Sequence, residues 1–159
     1  MTLLHPGGKF PALTVALPGG ASLQLPDAAR GHYGVVLFYR GSWCPYCNAQ
    51  LSAFQRARER LTGMDAQISA LSADDEPATV KLIAKHDLEF PVGHSADTAA
   101  LAAATGAFVT DQPAYLQSTG FVLDPEGRVA VSVYSSGAIG RLVPEDVIGL
   151  IRYRRGHAA

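Results

Sequence analysis

Tyr33-Gly34-Val35-Val36-Leu37-Phe38-Tyr39, followed at once by Arg40-Gly41-Ser42-Trp43-Cys44-Pro45-Tyr46-Cys47, is the stretch whose reading decides the fold. The first part is almost continuously apolar or aromatic, as expected of a strand covered on both faces. Beyond Cys47 the pattern changes period. Leu51, Phe54, Ala57 and Leu61 recur at three and four, with Gln55, Arg56, Arg58 and Glu59 on the other side, which predicts a helix from Asn48 to Leu61. A buried strand that ends in Cys-x-x-Cys and passes into a helix is a redox geometry, because it sets two sulfurs on the same helical turn. Cys44 falls where unpaired backbone N–H groups and the positive end of the helix dipole favour thiolate over thiol. It is therefore the expected nucleophile, with Cys47 as its partner, and Pro45 suits the first helical turn.

The chain has 159 residues, enough for one domain (1–159) with a sizeable core and too few to expect two. Its 13 basic and 14 acidic side chains leave a formal net charge of −1, so nothing electrostatic recommends a nucleic acid or an anionic membrane as partner. No run approaches the roughly 18 apolar residues needed to cross a bilayer. Met1 to Gly8 lacks the basic and apolar regions of a signal peptide, so a cytoplasmic protein is expected, where a lone cysteine pair cycles rather than staples.

Around this centre the chain divides readily. Met1 to Pro11 reads as a lead-in, and Leu13–Leu17 and Ser22–Leu25 form an N-terminal β-hairpin about Pro18-Gly19-Gly20-Ala21. Asp27 to Gly31 suits a helical turn. Ala66–Leu71 is a second strand, parallel to Tyr33–Tyr39 because a helix joins them. Asp74-Asp75-Glu76-Pro77 opens a helix to about His86, with Val80, Ile83 and Ala84 expected inward, and Asp97 caps another from Thr98 to Thr105 that Gly106 ends. Phe90-Pro91-Val92 is a short edge or bend, and Ala107 to Ser118 reads as a loop or turn about Asp111-Gln112-Pro113. Phe121–Leu123 and Arg128–Tyr134 form a hairpin across Asp124-Pro125-Glu126-Gly127. Pro144 opens a last helix, with Val147, Ile148 and Ile151 inward and Arg152, Arg154 and Arg155 near its end. The order gives an α/β fold of thioredoxin-like type, a central mixed β-sheet flanked by helices, with the cysteine motif at the carboxyl end of a central strand.

Phe38 to Cys47, together with Phe121-Val122-Leu123-Asp124-Pro125-Glu126-Gly127, resembles the alkyl-hydroperoxide-reductase and thiol-specific-antioxidant branch of the thioredoxin superfamily, the peroxiredoxin-like or redoxin proteins. The likeness runs from about Gly8 to Ile151. It implies reduction of peroxides by a nucleophilic cysteine that an external thiol recycles. Peroxiredoxins carry a proline seven residues and a threonine or serine three residues before that cysteine, where this chain has Leu37 and Gly41. They also carry an arginine just ahead of the Phe-Val-x-Asp strand, and the matching position here is near Ser118. Thioredoxins and glutaredoxins place a cis-proline in that region, where this chain has Ser118-Thr119-Gly120. Cys-Pro-Tyr-Cys itself is glutaredoxin-like, and Trp43 before it is thioredoxin-like.

Two enzymatic readings use the same sulfurs. In one, the Cys44 thiolate attacks a peroxide oxygen, becomes a sulfenic acid and condenses with Cys47. In the other, Cys44 attacks a protein or glutathione disulfide and Cys47 resolves the mixed disulfide. The partners are then a peroxide or disulfide and an external thiol such as thioredoxin or glutathione, with a homodimer left open and no cofactor required. Arg40, four residues before Cys44, is the nearest cation to polarise a peroxide or lower the thiol pKa. Arg141 joins it if the small-residue loop Ser135–Gly140 folds back over the motif, whereas Arg128 belongs to a turn expected to lie away. Trp43, Tyr46, Gly41 and Thr119 are the candidate substrate wall, although the aromatic pair could equally cover the core. His86 and His94 read as surface residues. A metal site is disfavoured because one Cys-x-x-Cys supplies two of the four ligands zinc wants. A non-catalytic binding module on the same fold would leave Cys44 with an ordinary thiol pKa.

Overall fold

A computed structural model describes residues 2–157; the first residue of the expected lead-in and the last two of the expected domain lie outside them. The elements are β1 (Leu13–Ala16), β2 (Ser22–Leu25), a 3-10 turn (Asp27–Ala29), β3 (Tyr33–Phe38), α1 (Pro45–Arg56), α2 (Arg58–Thr62), β4 (Ala66–Leu71), α3 (Glu76–His86), β5 (Val92–Gly93), α4 (Thr98–Thr105), β6 (Val109–Asp111), β7 (Ala114–Leu116), β8 (Thr119–Leu123), β9 (Val129–Tyr134) and α5 (Pro144–Gly156). The main sheet has the order β5-β4-β3-β8-β9. β3, β4 and β5 run parallel, and β8 and β9 run antiparallel to their neighbours, so the sheet is mixed as expected.

β3 lies at the centre and is buried from Gly34 onward. Its side chains alternate between two cores. Val35, Leu37 and Tyr39 meet Leu51 and Phe54 of α1, Leu61 of α2, Leu82 of α3 and Val147, Ile148 and Ile151 of α5. Val36 and Phe38 face Phe10, Val15, Leu25, Leu101 of α4, Leu116 and Phe121 on the other side. The ring of Phe121 takes edge-to-face contacts from Phe10, Phe38 and Tyr134, with centroids 5.1 to 5.7 Å apart.

The N-terminal segment straps this second face. Gly7 and Gly8 exchange backbone hydrogen bonds with Val129 at one edge of the sheet, and Lys9 forms a bridge with Arg128. At the opposite edge, His94 donates its backbone N–H to Ala16 just beyond β5.

Three details depart from the sequence reading. The helix after the motif starts earlier, at Pro45, and breaks at Ala57 (φ −91°, ψ 0°), so one expected helix becomes α1 and α2. In α3, Val80 is 47 % exposed and Ala84 is exposed, while Thr79 and Leu82 point inward and Ile83 is half-buried. Thr79 can be buried because its hydroxyl donates to the Asp75 carbonyl one turn back, at 2.9 Å, which removes the cost of an unpaired polar group. The segment after α4 is more ordered than a loop: β6 and β7 form a short hairpin about Gln112-Pro113.

Gly93 is where the strap meets the sheet edge. A Cβ there would lie 2.1 Å from Val15 Cγ1 and 3.2 Å from the Ala16 carbonyl oxygen. Gly93→Ala is expected to lower unfolding stability by about 1–3 kcal/mol through overpacking, and Val15→Ala in the same chain to recover part of the loss, as read by denaturant unfolding.

Candidate active site

The cysteine motif sits where the sequence placed it, at the carboxyl end of β3. Cys44 is the N-cap of α1, and its Sγ accepts the backbone N–H of Cys47 at 3.4 Å. Pro45 stands in the first turn, where its missing N–H costs nothing. The loop before the helix is held from several sides. Ser42 donates its backbone N–H to Asp74 Oδ2 at 2.7 Å, and Cys44 donates its own to the Gly41 carbonyl. Asn48 Nδ2 donates to the carbonyls of Ser42 (2.9 Å) and Cys44 (2.8 Å). With its amide donors so engaged, Asn48 presents Oδ1 to His86 Nε2 at 2.6 Å, so that nitrogen carries the proton. His86 is thus half-buried against the motif rather than a free surface residue.

Both cysteines are free and buried. Two guanidiniums converge on them. Arg40 Nη1 lies 3.6 Å from Cys44 Sγ, and the same residue's backbone N–H reaches Cys47 Sγ at 3.3 Å. Arg141 Nη2 lies 3.7 Å from Cys44 Sγ and 3.1 Å from Cys47 Sγ. Buried glutamine side chains orient each cation. Gln117 Oε1 accepts from Arg40 Nε at 3.0 Å, and Gln50 Oε1 accepts from Arg141 Nη1 at 2.7 Å. Gln117 is fixed by Thr110, and Gln50 by the Leu142 carbonyl. The Arg40 guanidinium also stacks on Trp43 and Tyr115, at 5.0 and 5.3 Å from the ring centroids, and reaches the Tyr115 hydroxyl at 3.3 Å.

These contacts split the two thiols. Burial pushes the Cys44 thiol up, but the Cys47 thiol and backbone N–H, together with Arg40 and Arg141, stabilise its anion more strongly, so its pKa falls below the ordinary value. For Cys47 burial prevails, aided by the hydrogen bond it gives to Cys44, and its pKa rises despite the Arg40 N–H and Arg141. Of the two, Cys44 therefore ionises the more readily and Cys47 holds its proton.

Residues 6–132 match the AhpC/TSA family. The chain belongs to the AhpC/TSA family. Over 152 residues, 92 % of this chain and 71 % of the relative, it is 30 % identical to a peroxiredoxin of Methanothermobacter thermautotrophicus. It is 28 % identical to alkyl hydroperoxide reductase C of Mycobacterium tuberculosis, with 91 % of this chain and 82 % of that protein covered. Among solved structures, Mycobacterium tuberculosis AhpC superposes with a TM-score of 0.79 at 22 % identity, covering 99 % of this chain and 97 % of the other. A C47S mutant of Xylella fastidiosa PrxQ superposes at 0.77 with 16 % identity and full coverage of both chains. These likenesses carry the thioredoxin-type fold.

Within this AhpC/TSA protein the remaining candidates fall in different places. Gly41 is buried, and a Cβ on it would lie 2.2 Å from Trp43 Nε1, so the indole occupies the space that a threonine or serine would need. Trp43 itself is 54 % exposed and stands edge-on to Tyr115, with ring centroids 4.9 Å apart. Tyr46 is equally exposed on the first turn of α1. Thr119 is enclosed in β8 with its hydroxyl donated to the Gln117 carbonyl at 3.1 Å, and no hydrogen bond links it to either sulfur. Arg128 donates to the Gly7 carbonyl instead. Gln50, Gln117 and Tyr115 escaped the sequence reading. Gln50 had a signal: it lies three residues after Cys47 on the face of Leu51 and Phe54, an amide in an apolar stripe.

Two outcomes check this geometry. Alkylation of Cys44 by iodoacetamide should plateau at a pH below that of an ordinary thiol, and Arg40→Gln should move its midpoint upward, because the thiolate loses a donor. Gly41→Thr should expel the indole from its place beside Arg40, which a shift of Trp43 fluorescence emission would report.

Proposed function

We propose that this chain reduces hydrogen peroxide or organic hydroperoxides through Cys44, that Cys47 resolves the oxidised sulfur, and that an external thiol such as thioredoxin or glutathione restores the pair. Family membership and the peroxiredoxin relatives support thiol-dependent peroxide reduction as the reaction. The observation that carries the assignment to Cys44 is its position as N-cap of α1 with two guanidiniums turned toward its sulfur.

The chemistry runs from that position. The thiolate attacks one peroxide oxygen, the O–O bond breaks, and the departing alkoxide or hydroxide needs both a proton and electrostatic stabilisation. Arg40 and Arg141 retain N–H groups beyond those given to Gln117, Tyr115, Gln50 and the sulfurs, and cations so placed favour negative charge developing on oxygen. They take over the task that the threonine performs in the family pattern, where this chain has Gly41. Exposed Trp43 and Tyr46 provide an apolar rim for an organic peroxide or for the reducing partner.

The elements of 2–157 gather about one sheet, and we take 1–159 as a single catalytic domain that works as a monomer or homodimer. Among the described residues no helix is long and apolar enough to cross a membrane. A reducing cytoplasm is the compartment that suits a cycling pair.

Stopped-flow oxidation by hydrogen peroxide and by an organic hydroperoxide, followed through Trp43 fluorescence, tests the reading. The wild-type thiolate should be lost far faster than a free thiol, Cys44→Ser should abolish the reaction, and Cys47→Ser should stop at a sulfenic acid that dimedone traps. A wild-type rate equal to that of a free thiol would exclude the peroxidase.

A further inference from the structure

The two guanidiniums at the site are not equivalent. Of the two sulfurs the Arg40 side chain reaches only that of Cys44, and its other donors serve Tyr115 and Gln117. Arg141 reaches both sulfurs from one nitrogen and lies nearer to Cys47, at 3.1 Å against 3.7 Å. We propose that Arg141 is the catalytic residue of disulfide closure, holding Cys47 as an anion while it attacks the oxidised Cys44. The proposal rests on the peroxidase reading above, in which Cys44 first becomes a sulfenic acid.

Cys47 is buried and holds its proton in the reduced enzyme, yet it must supply the second nucleophile. Before oxidation the negative charge resides on Cys44. Once Cys44 carries a hydroxyl group that charge is gone, and Arg141 is left facing Cys47 without having to move. Its position is firm: Nε donates to the Ala138 carbonyl at 2.6 Å, and Nη1 to Gln50, itself tied to the Leu142 carbonyl. The acceptors anchoring it are neutral, and none of the ion pairs among the described residues involves it, so the full cation is directed at sulfur. The backbone N–H of Arg40, at 3.3 Å, gives Cys47 a second donor.

The step balances without another reagent. The Cys47 sulfur forms the S–S bond, the S–O bond of Cys44 breaks, and the leaving hydroxide takes up the proton that Cys47 released, departing as water. Cys44 is reduced from the sulfenic state and Cys47 is oxidised, so both end in the disulfide.

A neutral aromatic disulfide, 4,4′-dithiodipyridine, separates the two sulfurs without peroxide. Cys44 releases one thiopyridone on forming the mixed disulfide, and Cys47 releases a second on closing the ring. Arg141→Gln is expected to slow the second release roughly tenfold or more, about the worth of one charge-assisted hydrogen bond, with a smaller effect on the first. Arg40→Gln should show the reverse pattern. Raising the pH should restore the second release in Arg141→Gln, since the Cys47 thiolate then forms unaided, and Arg141→Lys should recover part of the rate. Gln50→Leu keeps the charge but removes its anchor, and should slow the same phase if Arg141→Gln does not fold. Slowing confined to the first release, or equal in both, would overturn the proposal. Because no peroxide takes part, these outcomes are independent of the wild-type peroxide rate that decides the peroxidase reading.

Discussion

A readily ionised sulfur capping a helix that starts inside the protein is the constraint on which the rest of this structure depends. Burial alone would keep Cys44 protonated. Its charge is tolerated because Cys44 caps α1 and the Cys47 N–H of the first turn is aimed at its sulfur, a helix-end position typically worth about 0.3–1 kcal/mol for a nearby anion. The Cys47 thiol and backbone N–H lead in stabilising that anion, and the Arg40 and Arg141 guanidiniums add to them. Cys47 lies three residues on in the same first turn, where burial and the hydrogen bond it gives to Cys44 raise its pKa. A spacing of three residues thus separates two chemically identical groups into a more acidic and a less acidic thiol.

The loop that presents Cys44 is held by a chain of polar contacts rather than by packing. Asp74 just beyond β4 and Asn48 in α1 each take one part of the Gly41–Cys44 segment, and His86 at the end of α3 holds Asn48 in turn. Three elements that belong to the sheet and its helical layer therefore agree on one position for the sulfur. The same economy governs the cations, each oriented by a buried amide whose opposite end is tied to the framework. Placement by second partners of this kind is what allows charge to be aimed without a neutralising carboxylate.

Much of this was legible because it follows from local pattern. β3 is nearly unbroken in apolar side chains, and α1 shows its buried face as Cys47, Leu51 and Phe54, so the strand, the helix and the motif between them could be read directly. Arg40 was legible for the same reason, being adjacent in sequence. Arg141 was only a conditional candidate, since its approach to the sulfurs depends on the course of a loop 97 residues beyond Cys44. Loops rich in small residues carry no periodicity to show where they lead. The inward face of α3 was misjudged because hydrophobicity favoured Val80 and Ala84, whereas Thr79 could satisfy its own hydroxyl within the helix. Position of the helix against the sheet, not side-chain polarity, decided that face. In the sequence Gly41 stands where the family pattern has a threonine, and only the indole lying over it shows the space to be taken.

The N-terminal strap has a further meaning for how the chain avoids its own kind. An open five-stranded sheet has two exposed rows of backbone donors and acceptors, either of which could recruit a strand from another molecule. Here Gly7 and Gly8 cover part of the β9 row, and Ala16 closes the end of the β5 row. One short stretch of chain, crossing beneath the sheet with Phe10 and Val15 buried along the way, thus touches both borders. At these points a strand from another molecule meets backbone donors and acceptors that are already taken.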